Sequence, residues 1–287
     1  MIVVEPTSGL CSRIYVLNDA YILAKKYRQK LVVIWTKTTD CNIGYYRVFD
    51  KSQFADIDIK IIELTKFRIR FRDIKDEIWA HLKDIFIEVF VRLSYIIKHS
   101  VIKKYYRTIC DVYKNAYSDG NAPIDESKIE NHNVYIEAYN SIIGKDMKLD
   151  AIKIRQELIL SAENIIGKYK ENCIGIHIRR TDHGPAKEHS RTEIFLKKID
   201  EIIQQDNKVC FFLATDEWKE EYMLKERYQH RIICQDNKVL NRYTEEGMIS
   251  SIIDFLCLSK TKYILGSYTS IFSKFSAQYG NVDLIIM

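Results

Sequence analysis

From residue 172 onward the chain alternates short apolar runs with helical patterns, and few folds accept that rhythm. The runs are CIGIHIR (173–179), VCFFLATD (209–216), RIICQ (231–235), YILGS (263–267) and VDLIIM (282–287). Between them lie TEIFLKKIDEIIQQ, EWKEEYMLKERY, TEEGMISSIIDFLCLSK and TSIFSKFSAQYG. Strict strand–helix alternation predicts a parallel, Rossmann-like sheet with helices on both faces. The start of the chain has the same grammar. IVV (2–4) reads as a strand, EPTSGLCSR as a turn, and SRIYVLNDAYILAKKY as a helix with Ile14, Leu17, Tyr21 and Ala24 on one face. LVVIW (31–35) closes this βαβ unit, VYIEAY (134–139) is a further strand, and 147–170 reads as a helix leading into the second half.

The 287 residues exceed the usual size of one core and suggest two domains. We place them at 1–145 and 146–287. Hydrophobic content of 47% with 29% charged residues describes a folded, soluble protein. The three prolines leave no room for a Pro-rich linker, so the boundary is short and structured. A net charge of +5 suits an anionic ligand or an anionic membrane surface and is weak ground for nucleic acid. The seven cysteines form no CxxC pair, and four lie inside apolar runs. They read as buried thiols in a reducing compartment. With no signal-peptide layout at the start, the expected location is cytoplasmic.

Chemistry gathers where strands end. In CIGIHIRRTD (173–182), Ile174, Ile176 and Ile178 point one way, and Gly175, His177 and Arg179 the other. The run then breaks into Arg180, Thr181, Asp182, His183, Gly184 and Pro185, a sequence poorly suited to strand or helix. Ligands of open α/β sheets bind outside the carboxyl ends of strands. Paired guanidiniums there match phosphate or carboxylate oxygens; a solvated Asp–Arg ion pair is the alternative. The next strand delivers Thr215, Asp216 and Glu217, and a later one Ser267, Thr269 and Ser270 around Gly266. Hydroxyls at a helix N-terminus suit a phosphate or simply cap the helix. The Gly9 turn with Arg13 could present N–H groups to an anion or be a plain connection. Asp254 sits in the most apolar helix, ISSIIDFLCL. It must be exposed or paired with a specific donor, and the residues alone favour exposure.

Two further stretches are distinctive. Asp56-Ile57-Asp58 spells DxD, but it precedes the apolar run IKIIEL instead of following a strand, so it reads as a loop and not as a metal site. Residues 66–107 carry an apolar stripe from Ile78 to Ile97 flanked by basic and aromatic residues. Its most apolar part contains Glu88 and Arg92, which argues against a bilayer span. It reads as a helical insertion, packed on its own domain or lying on an anionic membrane.

Several motifs in register resemble the α-1,6-fucosyltransferases, the group of rhizobial nodulation-factor and animal core enzymes related to α-1,2- and protein O-fucosyltransferases. They are HIRRTD (177–182), FLATDE (212–217), NRYTEE (241–246), DFLCLS (254–259) and SYTSIFS (267–273), with GLCSR (9–13) and KLVVIW (30–35) near the start. The resemblance implies a GT-B fold, with two Rossmann-like domains facing across a cleft and the acceptor on the N-terminal side. It implies inverting transfer of fucose from GDP-fucose to a saccharide or lipid-linked saccharide in cell-surface glycan synthesis, with no cofactor and no divalent metal. It places Arg179 at the β-phosphate, His177 and Asp254 at the guanine, Asp216 at the nucleotide and Ser270 at the diphosphate. Arg180, Ser267, Thr269, Gly9 and Arg13 join the expected donor-binding set. An arginine at the leaving diphosphate would replace a metal, and Asp182 or Glu188 would serve as base.

The chain departs from the family pattern at Ser12 (asparagine) and Cys11 (glycine), and at His183 (often lysine), the last of which puts acceptor handling in question. The resemblance leads us to expect a minimal, bacterial version, without the coiled-coil and SH3-like additions and the membrane anchor of animal members. A GT-B enzyme using another nucleotide sugar, or a non-catalytic membrane- or partner-binding protein on this fold, are the alternatives.

Overall fold

The computed structural model describes residues 1–65, 111–114, 124–130, 132–144, 148–169, 172–181, 183–241 and 243–287. The helical insertion expected over 66–107 lies outside the described residues. The chain divides into two units, Met1–Tyr45 with Phe54–Met147, and Tyr46–Gln53 with Lys148–Met287. A single boundary near 145 therefore misses one excursion, in which 46–53 joins the second unit.

The first unit is built on β1 (Ile2–Pro6), α1 (Leu10–Lys26), β2 (Leu31–Lys37), β3 (Ile59–Thr65), β4 (Asp111–Lys114) and β5 (Val134–Ala138). The single turn α2 (Tyr45–Val48) follows β2 in the chain, where residues 46–53 depart. The strands form one five-stranded sheet in the order β3-β2-β1-β5-β4, parallel throughout. Strands covered on both faces need continuous apolar runs, and Ile2, Val3 and Val4 are fully buried. β4 lies in a stretch whose polar composition reads as turns. It pairs only with β5, and an edge position asks less apolar surface of a strand.

The second unit contains α3 (Gln156–Ile166), β6 (Cys173–Ile178), α4 (Gly184–His189), α5 (Thr192–Gln205), β7 (Cys210–Thr215), α6 (Trp218–Tyr228), β8 (Ile232–Ile233), α7 (Glu245–Leu258), β9 (Tyr263–Gly266), α8 (Ile271–Gly280) and β10 (Asp283–Ile286). Its sheet runs β10-β9-β6-β7-β8, again all parallel. In chain order this is 5-4-1-2-3, the doubly wound pattern whose winding reverses between β6 and β9. Ile174, Ile176 and Ile178 enter a core with Phe195, Ile199 and Leu224 from α5 and α6. The opposite face of β6 meets the other helix layer at close range. A Cβ on Gly175 would lie 2.8 Å from Thr261 Oγ1 and 2.9 Å from Leu258 Cδ2.

Three local expectations need correction. The helix expected over 147–170 begins only at Gln156. The residues before it pair with the excursion: Asp50 N–H donates to the Lys153 carbonyl at 2.9 Å, and Arg155 N–H to that of Val48 at 3.0 Å. The break after β6 contains a helix, α4. Pro185 stands in its first turn, where a missing N–H costs nothing, and His183 Nδ1 caps Ala186 N–H at 3.1 Å. RIICQ keeps only two strand residues, because β8 is an edge strand that pairs with β7 alone.

Candidate active site

The reversal point of the second sheet brings the ends of β6 and β9 side by side. Ser267, just past β9, is fully buried. Its hydroxyl accepts the Arg179 N–H at 2.9 Å and donates to the His177 carbonyl at 3.1 Å. It therefore pins the exit of β6. Asp216, just past β7, clamps the same exit from the other side. Its carboxylate accepts from Arg180 N–H at 2.7 Å and Thr181 Oγ1 at 2.6 Å, and pairs with Arg179 Nη1 at 2.8 Å. Burial opposes ionisation of Asp216, but Arg179 and these hydrogen bonds outweigh it and hold the carboxyl below its usual range.

His177 is buried between β6 and α8. Its Nδ1 is hydrogen-bonded to Ser273 Oγ at 2.7 Å, with Ser270 Oγ at 3.4 Å, and its ring packs on Phe272 at 4.7 Å. Burial, with Arg179 and Arg180 nearby, pushes the imidazole down to about 3, so it is neutral at physiological pH. Ser270 caps α8 and accepts from Ser273 N–H.

His177, Arg179, Asp216 and Asp254 line one cavity of about 340 Å³. Phe272 and Tyr243 supply aromatic wall, and Val239, Leu240 and Asn241 supply a loop wall. That loop is tied to α7 by the Val239 N–H, which donates to Ser250 Oγ at 3.0 Å. Asp254 is 6% exposed, which corrects the expectation from residues alone that it faces solvent. Burial pushes its carboxyl up to about 6; Lys238 and a 3.2 Å hydrogen bond from Gln235 Nε2 oppose the rise, while Glu221 adds to it. The cavity thus offers a carboxylate acceptor and a guanidinium, with flat apolar surface on its wall.

Other expected residues stand elsewhere. Arg180 is buried, its guanidinium held by Glu220 and Thr192 at 2.8 Å each, and it does not line the cavity. Thr269 is exposed and left-handed, with φ of 52°. Glu188 is exposed on α4 and lies outside the lining. Asp182 lies outside the described residues. In the first unit, Arg13 is 1% exposed. It donates to the carbonyls of Ser8 and Thr36 and to Thr38 Oγ1, a strap across the turn and not an offered anion site. Gly9 has φ of −72°, while Ser8 at 67° takes the left-handed position, so the turn makes no demand for glycine at 9.

Sequence reasoning missed Gln235 and Lys238, which support Asp254 from the loop before α7. The only local signal is a lysine beside an apolar run in KVL (238–240). Among the described residues no cluster of three His, Cys, Asp or Glu side chains could hold a metal ion. The DxD carboxylates are occupied by lysines, Asp56 with Lys25 at 2.7 Å and Asp58 with Lys30 at 3.0 Å. No helix among the described residues is long and apolar enough to cross a membrane.

Residues 151–276 match the model of the α-(1,6)-fucosyltransferase N- and catalytic domains. Among solved structures, NodZ α-1,6-fucosyltransferase co-crystallised with GDP superimposes with a TM-score of 0.53 at 14% identity, over 96% of this chain and 91% of that one. Fucosyltransferase NodZ from Bradyrhizobium gives 0.52 at 14% identity, over 96% and 92%. POFUT1 in complex with GDP-fucose gives 0.57 at 9% identity, over 99% and 97%. At these identities the structural likeness is one of fold, and that fold is GT-B.

Proposed function

We propose that this chain, an α-1,6-fucosyltransferase-like glycosyltransferase of GT-B fold, transfers fucose from GDP-fucose to a saccharide acceptor, with inversion and without a divalent metal. The observation that carries the reading is one cavity bearing a buried carboxylate, Asp254, and a guanidinium, Arg179, at the reversal point of a doubly wound sheet. A guanine edge presents two adjacent N–H donors, which a carboxylate accepts. A diphosphate presents oxygens that a guanidinium fork matches. The GDP and GDP-fucose complexes of the structural relatives support the same donor.

In this reading Arg179 supplies what a metal supplies in other transferases. The leaving diphosphate gains negative charge as the glycosidic bond breaks, and a preoriented cation stabilises it without reorganising. Ser267 fixes the Arg179 backbone and Asp216 fixes its guanidinium, so the cation is in place beforehand. The N-terminus of α8 adds its positive dipole end near His177 and Ser270. The neutral His177 can donate or accept one hydrogen bond to the nucleotide without bringing a charge.

Thermal shift with GDP, UDP, CDP and ADP tests this. Saturating GDP at a hundredfold its Kd adds about 2.7 kcal/mol, or roughly 5–10 °C for a domain of this size. A shift with UDP and none with GDP overturns the guanine assignment. GDP-fucose turnover that EDTA abolishes and magnesium restores overturns the metal-free mechanism.

A further inference from the structure

Beside the cavity lies a buried ion cluster that the reaction as described does not use. The Lys238 side chain is 1% exposed, with its ammonium 2.6 Å from Glu221 Oε2 and 5.9 Å from the centre of the Trp218 ring. A buried ammonium is strongly disfavoured unless it is paired. Glu221 already holds Lys225 at 2.7 Å through its other oxygen. Lys225 is 43% exposed and also faces Asp236, so the buried part of the cluster is the Lys238–Glu221 pair. Lys238 also acts on Asp254, on the neighbouring α7, to which its loop is tied by Gln235 Nε2 and by the Val239 N–H.

We infer that Lys238 is a positioning residue for the donor: it is the buried counter-charge that keeps Asp254 a carboxylate able to accept the N–H donors of a guanine-type base. This rests on the proposed role of Asp254. Gln235 Nε2 fixes the carboxylate's direction, bonding both Asp254 Oδ1 and the Ser250 carbonyl at 3.2 and 3.0 Å. The other groups around Asp254 do not replace Lys238. Burial raises the thiols of Cys234 and Cys257, which stay neutral. Glu163, on the α3 helix packed against α7, is paired with Lys260. Arg179, which lines the same cavity, is paired with Asp216, and His177 is neutral.

The test is GDP affinity by titration calorimetry from pH 5 to 9 for the wild type, Lys238→Met, Lys238→Arg, Glu221→Gln and Asp254→Asn. The nucleotide's own titration is common to all of them, so the displacement of the acid limb is what counts. Lys238→Met is expected to move that limb up by about one pH unit, so binding falls about tenfold at pH 5 and only about twofold at pH 7, and recovers in alkali. Lys238→Arg is expected to follow the wild type. Glu221→Gln is expected to move the limb the other way. A loss in Lys238→Met that is equal at every pH, or a Glu221→Gln limb displaced in the same direction as Lys238→Met, overturns the assignment. If Lys238→Met fails to fold, the direction of Glu221→Gln decides alone. Asp254→Asn binding GDP like the wild type would instead overturn the base reading and leave the ion cluster structural.

Discussion

Arg179→Ala separates the site's chemistry from its folding. The ion pair it removes spans 2.8 Å, between side chains 20% and 17% exposed. Breaking a buried pair costs about 3–5 kcal/mol when the partner is left uncompensated. Asp216 is not left so. It retains Arg180 N–H at 2.7 Å, Thr181 Oγ1 at 2.6 Å and Thr181 N–H at 3.2 Å. Those donors, with partial access to water, reduce the expected loss to about 1–2 kcal/mol, or roughly 2–8 °C in Tm. Turnover should suffer far more. Loss of one preorganised donor to a developing anion costs about 10²–10³ in kcat. The assay is GDP release from GDP-fucose without added acceptor, which needs no knowledge of the acceptor, run beside a thermal melt. Turnover within tenfold of wild type would refute the role given to Arg179. A collapse of the fold would refute the claim that Asp216 stays satisfied.

Asp254→Asn should stabilise the unliganded protein while weakening GDP. The folded carboxyl stands above its ordinary 3.8, at about 6. Its contribution to stability is therefore full below about 4 and lost as pH rises through about 6. Denaturant melts should show the variant about 1–3 kcal/mol more stable at pH 8, with the gain gone at pH 4; equal stability at both would refute the burial. Gly266→Ala would bring a Cβ to 2.7 Å from Leu284 Cδ1 and Ser273 Cβ. We expect a loss of about 1–3 kcal/mol and weaker GDP binding, since Ser273 holds His177; an unchanged melt and affinity would contradict the packing. Gly280→Ala meets backbone, the Ser259 carbonyl oxygen at 2.0 Å. It should lower the Tm further than Gly266→Ala, and the reverse order would count against the close approach of the α7 and α8 ends.

Period and punctuation carried most of the second unit. Alternating apolar runs and helices specify parallel strands because strand and helix bury apolar faces at different spacings. The polar residues just past β6, β7 and β9 were visible as candidates for the same reason: ligands meet such sheets at strand ends. Burial and pairing were not visible, because they depend on which elements become neighbours. Arg179 and Arg180 are adjacent in sequence, yet one lines the cavity and the other is held by Glu220 and Thr192. Asp254 looked like a surface residue until α7 was packed with Gln235, Lys238 and Glu221 around it. Arg13 looked available to an anion until the carbonyls of Ser8 and Thr36 were found to take it. Sequence by itself determined where the strands end and which chemistry stands there, since local spacing decides that. Tertiary structure alone decided which charges face the cavity and which are held by a neighbour, since an ion's role follows from its solvation and partners, and those come from distant parts of the chain.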